Sequence, residues 1–441
     1  MLVSRAEANY TLGLLIPMTD ADYPENGQYY ASAMSIAVDA VNRQQNLLPG
    51  HNISFIWNDT ACWKEDTTIR GLLHQMYEAN VAAIIGPACL CNTSARIAAS
   101  FDLPMISYLC SSPELLNKEL YSTFVRTYTQ TTKLAESVWL LLKEFNWYKV
   151  GIAFERLPPW SNRKDDIVKF LKMRGVEIRI EREIPDEVQE RENHPAKIRQ
   201  LMEEMKPQAR IIIIAANFYT ARQMILPAYE LGFTNGDYAF ITFELDYNAV
   251  LRGQASPHSW FLVRTDGTDR FRCKIQEGFE SVLTLALDVD ENRGAFDIFQ
   301  TDVKKRSPEV PFPNSSAYQG YIFDNPSFLP RNTTTTELKS VRVYDGIRLV
   351  SEPPMYAAFL YDAVYQYAIA LNETIARNEK PNGKNIISKL LNREYDSIGG
   401  QRVFIDKNGA AEVDLVLFDM RWEFTSTLIL DLFHDRLKQV V

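Results

Sequence analysis

The sequence is short of the features that mark membrane spans, nucleic-acid binders and common enzymes. No stretch approaches the roughly 18 consecutive apolar residues that a bilayer-crossing helix needs. "RIIIIAA" at 210–216 is too short, and "TSTLILDLF" at 425–433 is short and interrupted by Asp431. The opening "MLVSRAEANYTLGLLIP" has no signal-peptide apolar region or cleavage site, so a processed chain or a piece of a longer one is expected. Positive charge is scarce: 47 Lys and Arg face 56 Asp and Glu, a net charge of -9. That balance disfavours a nucleic-acid partner and suits a basic peptide better. Only five histidines occur, His51, His74, His194, His258 and His434, all scattered, and no C-x-x-C spacing exists, so no metal site is expected. The sequence contains no G-x-S-x-G, H-E-x-x-H, G-x-x-x-x-G-K-S/T or G-x-G-x-x-G. Asp165 and Asp166 read as a solvated helix face. These absences point away from catalysis and from a cofactor.

What is present begins with cysteine and asparagine. Of five cysteines, Cys62, Cys89 and Cys91 lie close together, Cys110 follows, and Cys273 is remote. Seven N-x-S/T sequons occur, at Asn9, Asn52, Asn58, Asn92, Asn314, Asn332 and Asn372. Clustered cysteines beside repeated sequons indicate the secretory route and an extracellular setting. Cys89 then reads as a disulfide partner and Asn92 as a neighbouring surface glycan site.

At 441 residues the chain exceeds one ordinary core, so two packed units are expected. Apolar strands at 11–16, 51–60, 81–87 and 103–108 alternate with helical periodicity at 29–44, 67–80 and 94–102. The rhythm restarts with helices at 131–146, 163–175 and 220–232 and strands at 149–154, 176–184, 209–216 and 238–244. Such alternation predicts an α/β chain of two doubly wound lobes, each with a parallel sheet covered on both faces. Residues 300–345, rich in Pro, Ser and Thr, read as a long surface loop. A largely buried helix follows at 355–378, another lies in "NGKNIISKLLN", and 399–420 reads as a hairpin turning at Lys407-Asn408-Gly409.

Ligands of open α/β sheets bind beyond the carboxyl ends of the strands. Candidates there are Cys89, Arg96, Ser107, Tyr108, Ser111 and Ser112 in the first lobe, and Trp160, Asn217, Tyr219, Glu244 and Asp246 in the second. Ser111-Ser112-Pro113-Glu114 also reads as an ordinary helix start. Glu244 and Asp246 also read as a hinge or surface pair. Exposed N–H groups after Gly86-Pro87 suit a small anion.

"IIGPAC" followed by "ARIAASFDLPMIS", with "MILPAYELGFTNGDYAFITFELD" and "IGGQRVFIDKNGAAEVDLVLFDM", resembles the extracellular ligand-binding region of natriuretic-peptide-type receptors and receptor guanylyl cyclases. The resemblance runs over roughly residues 10 to 420. It implies a type I periplasmic-binding-protein fold with a hinge. The first lobe would comprise 9–127 plus 262–396, the second 128–261 plus 397–425, and 426–441 a tail. It also implies a Cys62–Cys89 disulfide, worth roughly 3 kcal/mol in the chain-entropy picture. Cys91 and Cys110 are left for a second bridge, and Cys273 for a free thiol or an intermolecular bond. A structural chloride would sit on the N–H groups of Ala88 and Cys89, with Thr60 the candidate supporting hydroxyl. His74 and Tyr77 fall where the family dimerises, although Tyr77 also reads as a half-buried helix residue. Arg96 corresponds to a peptide-contacting arginine, with an intervening segment about two residues shorter. Cys91 replaces an aromatic peptide contact. The family's second-lobe disulfide is missing, since one end is Ala215 and no cysteine lies near Trp160.

The resemblance therefore implies a non-enzymatic, homodimeric, peptide-sensing ectodomain of a cell-surface receptor. Kinase-like and cyclase domains would lie outside this chain, as would any membrane segment. An alternative is small-molecule sensing of the class C or ionotropic receptor type, with Ser111, Ser112 and Tyr219 on the ligand's charged ends. A secreted decoy is a further alternative.

Overall fold

The structure is a computed structural model describing residues 8–18, 24–62, 64–156, 158–186, 190, 193–245, 277–288, 294–307, 318–321, 343–344, 347–348, 353–419, 427–431 and 436–440. The chain divides into two compact units. The first comprises Met1–Gln130, Asn292–Val341 and Val350–Glu412; the second comprises Thr131–Glu291, Arg342–Leu349 and Val413–Val441.

The first unit is built on β1 (Ala8–Ile16), β2 (His51–Asp59), β3 (Ala83–Ile85), β4 (Met105–Ser107), β5 (Phe124–Arg126) and β11 (Tyr318–Tyr321). They form one sheet in the order β11-β2-β1-β3-β4-β5, parallel throughout. Successive strand residues point to opposite faces, yet Leu12, Leu14, Leu15 and Ile16 are all fully buried. Both faces must therefore be covered, as a parallel sheet requires. Helices α2 (Glu65–Tyr77) and α3 (Cys91–Ser100) pack together, with Leu72, Ala95 and Ala98 joining a core that includes Leu15 and Ile84. Helix α1 (Pro24–Arg43) packs along α9 (Met355–Ala376). The residues of α9 are buried round most of its circumference, from Phe359 and Leu360 to Ala363, Val364 and Tyr367. Helix α10 (Gly383–Leu390) is capped by Asn382, whose side chain accepts from the Asn385 N–H. A small sheet of β14 (Arg393–Asp396), β15 (Arg402–Ile405) and β16 (Ala411–Val413) completes the unit.

The second unit has β6 (Lys149–Phe154), β7 (Glu177–Glu183), β8 (Ile211–Ala215), β9 (Ala239–Glu244), β10 (Val282–Leu287), β17 (Leu415–Asp419), β18 (Thr427–Asp431) and β19 (Arg436–Val440), ordered β19-β18-β17-β10-β9-β8-β6-β7. The strands from β6 to β10 are mutually parallel; β17, β18 and β19 extend the sheet antiparallel. Helices α4 (Thr131–Glu144) and α5 (Trp160–Met173) pack together, as do α6 (His194–Met205) and α7 (Phe218–Glu230). Ile212 and Ile214 of β8 meet Met202, Met205, Met224 and Ile225 in the core. Strands β12 (Val343–Tyr344) and β13 (Ile347–Arg348) pair as a separate ribbon.

Several sequence expectations differ from what is observed. Residues 300–306, expected in a loop, finish α8 (Gly294–Arg306). Phe296, Phe299 and Val303 are buried there at helical spacing, and Arg306 pairs with Asp39 at 2.5 Å. The division at 262 placed β10 in the first lobe, but β10 hydrogen-bonds to β9 and β17 of the second sheet. Residues 397–412 lie in the first unit instead of the second. The expected tail supplies β18 and β19. The hairpin turns as expected: the Asp406 carboxylate accepts from the N–H groups of Asn408 (2.9 Å) and Ala410 (2.7 Å), and Gly409 takes φ +76°. Its second arm divides between β16 and β17, which belong to different sheets.

Candidate functional site

In the first unit, the loops after β2, β3 and β4 are fastened together. Strand β3 ends at Ile85, and Gly86 then adopts φ +102°, with the position of a Cβ only 2.4 Å from the Leu15 carbonyl oxygen. Only glycine satisfies both the dihedral and the close approach. The chain passes through Pro87, Ala88 and Cys89, turns at Leu90 (φ 52°) and enters α3 at Cys91. Disulfides join Cys62 to Cys89 and Cys91 to Cys110, with Cα separations of 5.2 and 6.2 Å. The two bridges leave from alternate residues, so one short turn is tied to both neighbouring loops.

Hydrogen bonds complete the frame. The Ser107 hydroxyl donates to the Pro87 carbonyl at 2.9 Å and accepts from the Cys110 N–H at 3.0 Å. Arg126, at the end of β5, is fully buried; its Nη1 donates to the carbonyls of Cys110 (3.1 Å) and Ser112 (2.9 Å). Its Nε and Nη2 meet no acceptor among the described residues. Burial lowers the Arg126 pKa to about 10, with Asp406 opposing the shift. The Lys118 ammonium, which donates to the Phe124 carbonyl, falls to about 8 through burial and then the nearby Arg126, again opposed by Asp406. Thr127 donates to the Phe359 carbonyl at 2.7 Å, pinning the following segment to α9.

The frame separates the candidates into those that face inward and those left available. Ser107 and Tyr108 were expected to meet ligand, but both are fully buried. Ser107 is consumed by the Pro87 and Cys110 bonds, and Tyr108 packs in a tilted ring contact 5.1 Å from Tyr30 with its hydroxyl pKa pushed well up by burial. Ser111 and Ser112 are half-buried, and their hydroxyls bond to no group among the described residues. The same holds for the N–H groups of Ala88 and Cys89 and for the buried Thr60 hydroxyl. Arg96 is exposed on α3.

The outer surface of α2 and α3 carries an exposed aromatic pair. Tyr77 is 65% and Phe101 56% exposed, with ring centroids 5.8 Å apart in an edge contact. His74, one turn before Tyr77, is mostly covered and lies 3.3 Å from Glu78.

In the second unit, Glu155 follows β6 and accepts from both the N–H (3.2 Å) and the side-chain amide (2.6 Å) of Asn217, which follows β8. Asn217 in turn accepts from the Thr220 N–H at 3.1 Å, fixing the start of α7. Trp160 is 4% exposed, so it lines the core instead of facing ligand; Arg163 lies 4.4 Å over its ring and Phe243 packs 6.1 Å away. Tyr219 lies in the first turn of α7 and Glu244 ends β9. Asp246 lies outside the described residues.

Among the sequons, Asn52 is exposed in β2 and Asn9 lies at an exposed position of β1, its amide donating to Ser54. Asn92 is half-buried and donates to Glu114 at 2.6 Å. Asn372 is half-buried inside α9. Asn58 contradicts the expectation: it is 8% exposed and accepts from the Gln75 amide at 3.0 Å, leaving no room for a glycan. Asn314 and Asn332 lie outside the described residues, as does Cys273. Among the described residues no cluster of His, Cys, Asp and Glu suits a metal, and no helix is long and apolar enough to cross a membrane.

Sequence reasoning passed over Arg126, Lys118, Phe101 and Glu155. For Arg126 a signal existed: a lone charge closing the apolar strand "FVR". Phe101 had none, because a single aromatic after a helix is usually core.

Residues 30–423 match the family described as the receptor family ligand binding region. The chain is 24% identical to the resact receptor of Arbacia punctulata over 94% of its own length and 41% of the relative's. It is 26% identical to guanylate cyclase 32E of Drosophila melanogaster, covering 86% of this chain and 28% of that protein. It is 25% identical to atrial natriuretic peptide receptor 2 of Rattus norvegicus, covering 93% and 36%. The chain thus spans well under half the length of these relatives. A solute binding protein of an ABC transporter from Rhodopseudomonas palustris, solved with 3,4-dihydroxybenzoic acid, matches the fold with a TM-score of 0.59 at 16% identity, covering 93% of this chain and 92% of that one. The matched span includes the frame around Gly86 and the framed loops of both units, and the chain belongs to the family of receptor ligand-binding regions.

Proposed function

We propose that the chain is the extracellular, non-enzymatic ligand-binding module of a cell-surface receptor of the guanylyl cyclase type, and that its ligand is a peptide. The observation that carries this reading is the extent of the relatives' match: nearly all of this chain aligns with about a third of a natriuretic peptide receptor. Two disulfides and the acidic balance support an extracellular site for a basic peptide. Isothermal calorimetry of the purified chain against a library of cationic peptides tests it. Saturable heat with a peptide is expected; heat with free amino acids alone contradicts it.

The unpartnered hydroxyls of Ser111 and Ser112 favour one second reading, a small ligand with charged ends held at that loop. Alanine at both positions then abolishes binding of a free amino acid, and leaves a peptide spread over a larger surface little changed.

A chloride fits the turn after β3, where the N–H groups of Ala88 and Cys89 and the Thr60 hydroxyl are donors without a partner among the described residues and the Cys62–Cys89 bridge brings their loops together. Bound there, it would supply a fixed negative charge to those three donors. Homodimerisation would use the Tyr77–Phe101 pair, since exposed aromatics of this kind mark interfaces. Sedimentation of Tyr77→Ala/Phe101→Ser is expected to shift the species toward monomer.

A further inference from the structure

The amino-terminal edge of the second sheet, opposite the strand ends that carry Glu155 and Asn217, holds a cavity that the receptor reading does not use. Strands β6, β8 and β9 run parallel, and Lys149, Ile211 and Ala239 are their first residues, so their amino ends lie level. A pocket of about 570 Å³ opens there, within the range typical of small-molecule sites. Three of its walls are aromatic: Trp147, Tyr148 and Tyr238. Tyr148 is 46% exposed, and Phe145 beside it is 42% exposed and stacked on Trp147 at 4.7 Å. Folding leaves so much aromatic surface in water at one turn without any gain to the core.

The charges are unequal. Lys149, Arg179 and Arg210 line the pocket against the single carboxylate of Asp237. Arg179 is committed to Glu177 at 2.6 Å, and Asp237 accepts from Asn235 at 2.8 Å. Arg210 has no ion pair among the described residues, and Lys149 reaches Glu177 only through space. An apolar ligand would cover these cations without replacing their water, whereas an anion supplies a charge-assisted partner.

We propose that this pocket binds a small organic anion carrying an aromatic ring, with its carboxylate on Arg210 and Lys149 and its ring against Trp147, Tyr148 and Tyr238. The planar guanidinium fork of Arg210 matches a carboxylate in two parallel bonds, and the aromatic walls take the ring by stacking. The site is independent of the peptide reading, because every wall residue lies within the second unit, away from the loops at the carboxyl ends of its strands.

Calorimetry of the full chain with indole-3-carboxylate, benzoate and the neutral benzyl alcohol tests the proposal. Indole-3-carboxylate is expected to bind with a Kd below about 1 mM, and Arg210→Glu to weaken it about tenfold or more, as loss of one charge-assisted bond implies. Arg210→Lys keeps the charge but loses the fork, so it is expected to weaken binding too, by less than Arg210→Glu does. Arg210 is exposed, so these variants keep the fold, which circular dichroism verifies. Absence of saturable binding, binding indifferent to Arg210→Glu, or equal binding of benzyl alcohol overturns it.

Discussion

The Nη1 of Arg126 donates to the carbonyl oxygen of Ser112 across 2.9 Å, from a side chain that no solvent reaches. The same nitrogen holds Cys110, so one buried cation sets the path of the loop that carries the Ser111 and Ser112 hydroxyls. The Cys91–Cys110 bridge and the Ser107 hydroxyl fasten that loop from its other side.

Replacing Arg126 by methionine keeps much of the volume but removes the donor from the buried Cys110 carbonyl and the partly buried Ser112 carbonyl. A stability loss of about 2–4 kcal/mol is expected in urea unfolding. Hydrogen exchange in residues 108–116 should rise before global unfolding, because the loop loses its anchor first. A loss below about 0.5 kcal/mol would show that the two carbonyl bonds contribute little.

Gly86→Ala places a Cβ 2.4 Å from a backbone oxygen at φ +102°. No side chain can yield there, so the β3 turn must shift. Destabilisation of about 2 kcal/mol or more is expected in thermal unfolding. An unchanged melting temperature would mean the turn relaxes freely.

Asp362 is a carboxylate 3% exposed on α9, accepting from the Ser397 hydroxyl (2.5 Å) and the Ile398 N–H (3.1 Å). Burial raises its pKa from 3.8 to about 7, with those two bonds opposing. Between these values the folded state holds a proton that the unfolded state has lost. The contribution of this group is therefore fully present below pH 4, declines as pH rises to about 7, and is flat above. The decline amounts to roughly 4 kcal/mol at one pKa unit per 1.36 kcal/mol. Asp362→Asn removes it, so the wild-type and variant urea midpoints should change their separation between pH 4 and pH 7. Parallel curves across that range would contradict the assignment.

Glycopeptide mapping of material secreted from an animal cell should find Asn52 occupied and Asn58 bare. The first is exposed; the second is buried against Gln75. A glycan at Asn58 would require β2 or α2 to sit differently.

Much of the fold was legible because buried parallel strands are unmistakable runs. "IIIIA" at β8 and "LLI" at the end of β1 have no other soluble home than a sheet covered on both faces. The element leading into a Pro-rich stretch was less legible: α8 hides three apolar core residues among charges, and composition alone suggested a loop from residue 300. Strand β10 went unread because "VLTLAL" carries no mark of which sheet takes it; β9 and β17 decide that through pairing. At the site, the cysteine cluster was visible, whereas inward and outward facing were not. Ser107 and Ser111 look alike in sequence, yet one is spent on the Pro87 carbonyl and the other has no partner among the described residues. Arg126 organises the loop from a strand away, a relation that only the β4–β5 register reveals.

We propose that the loops framed by the two disulfides, at 86–91 and 108–116, receive the peptide. Hydrogen–deuterium exchange of the chain with and without a peptide found by calorimetry tests it most directly. The account predicts new protection in 86–91 and 108–116 on binding. Protection confined to other segments, with these loops exchanging as before, would contradict it.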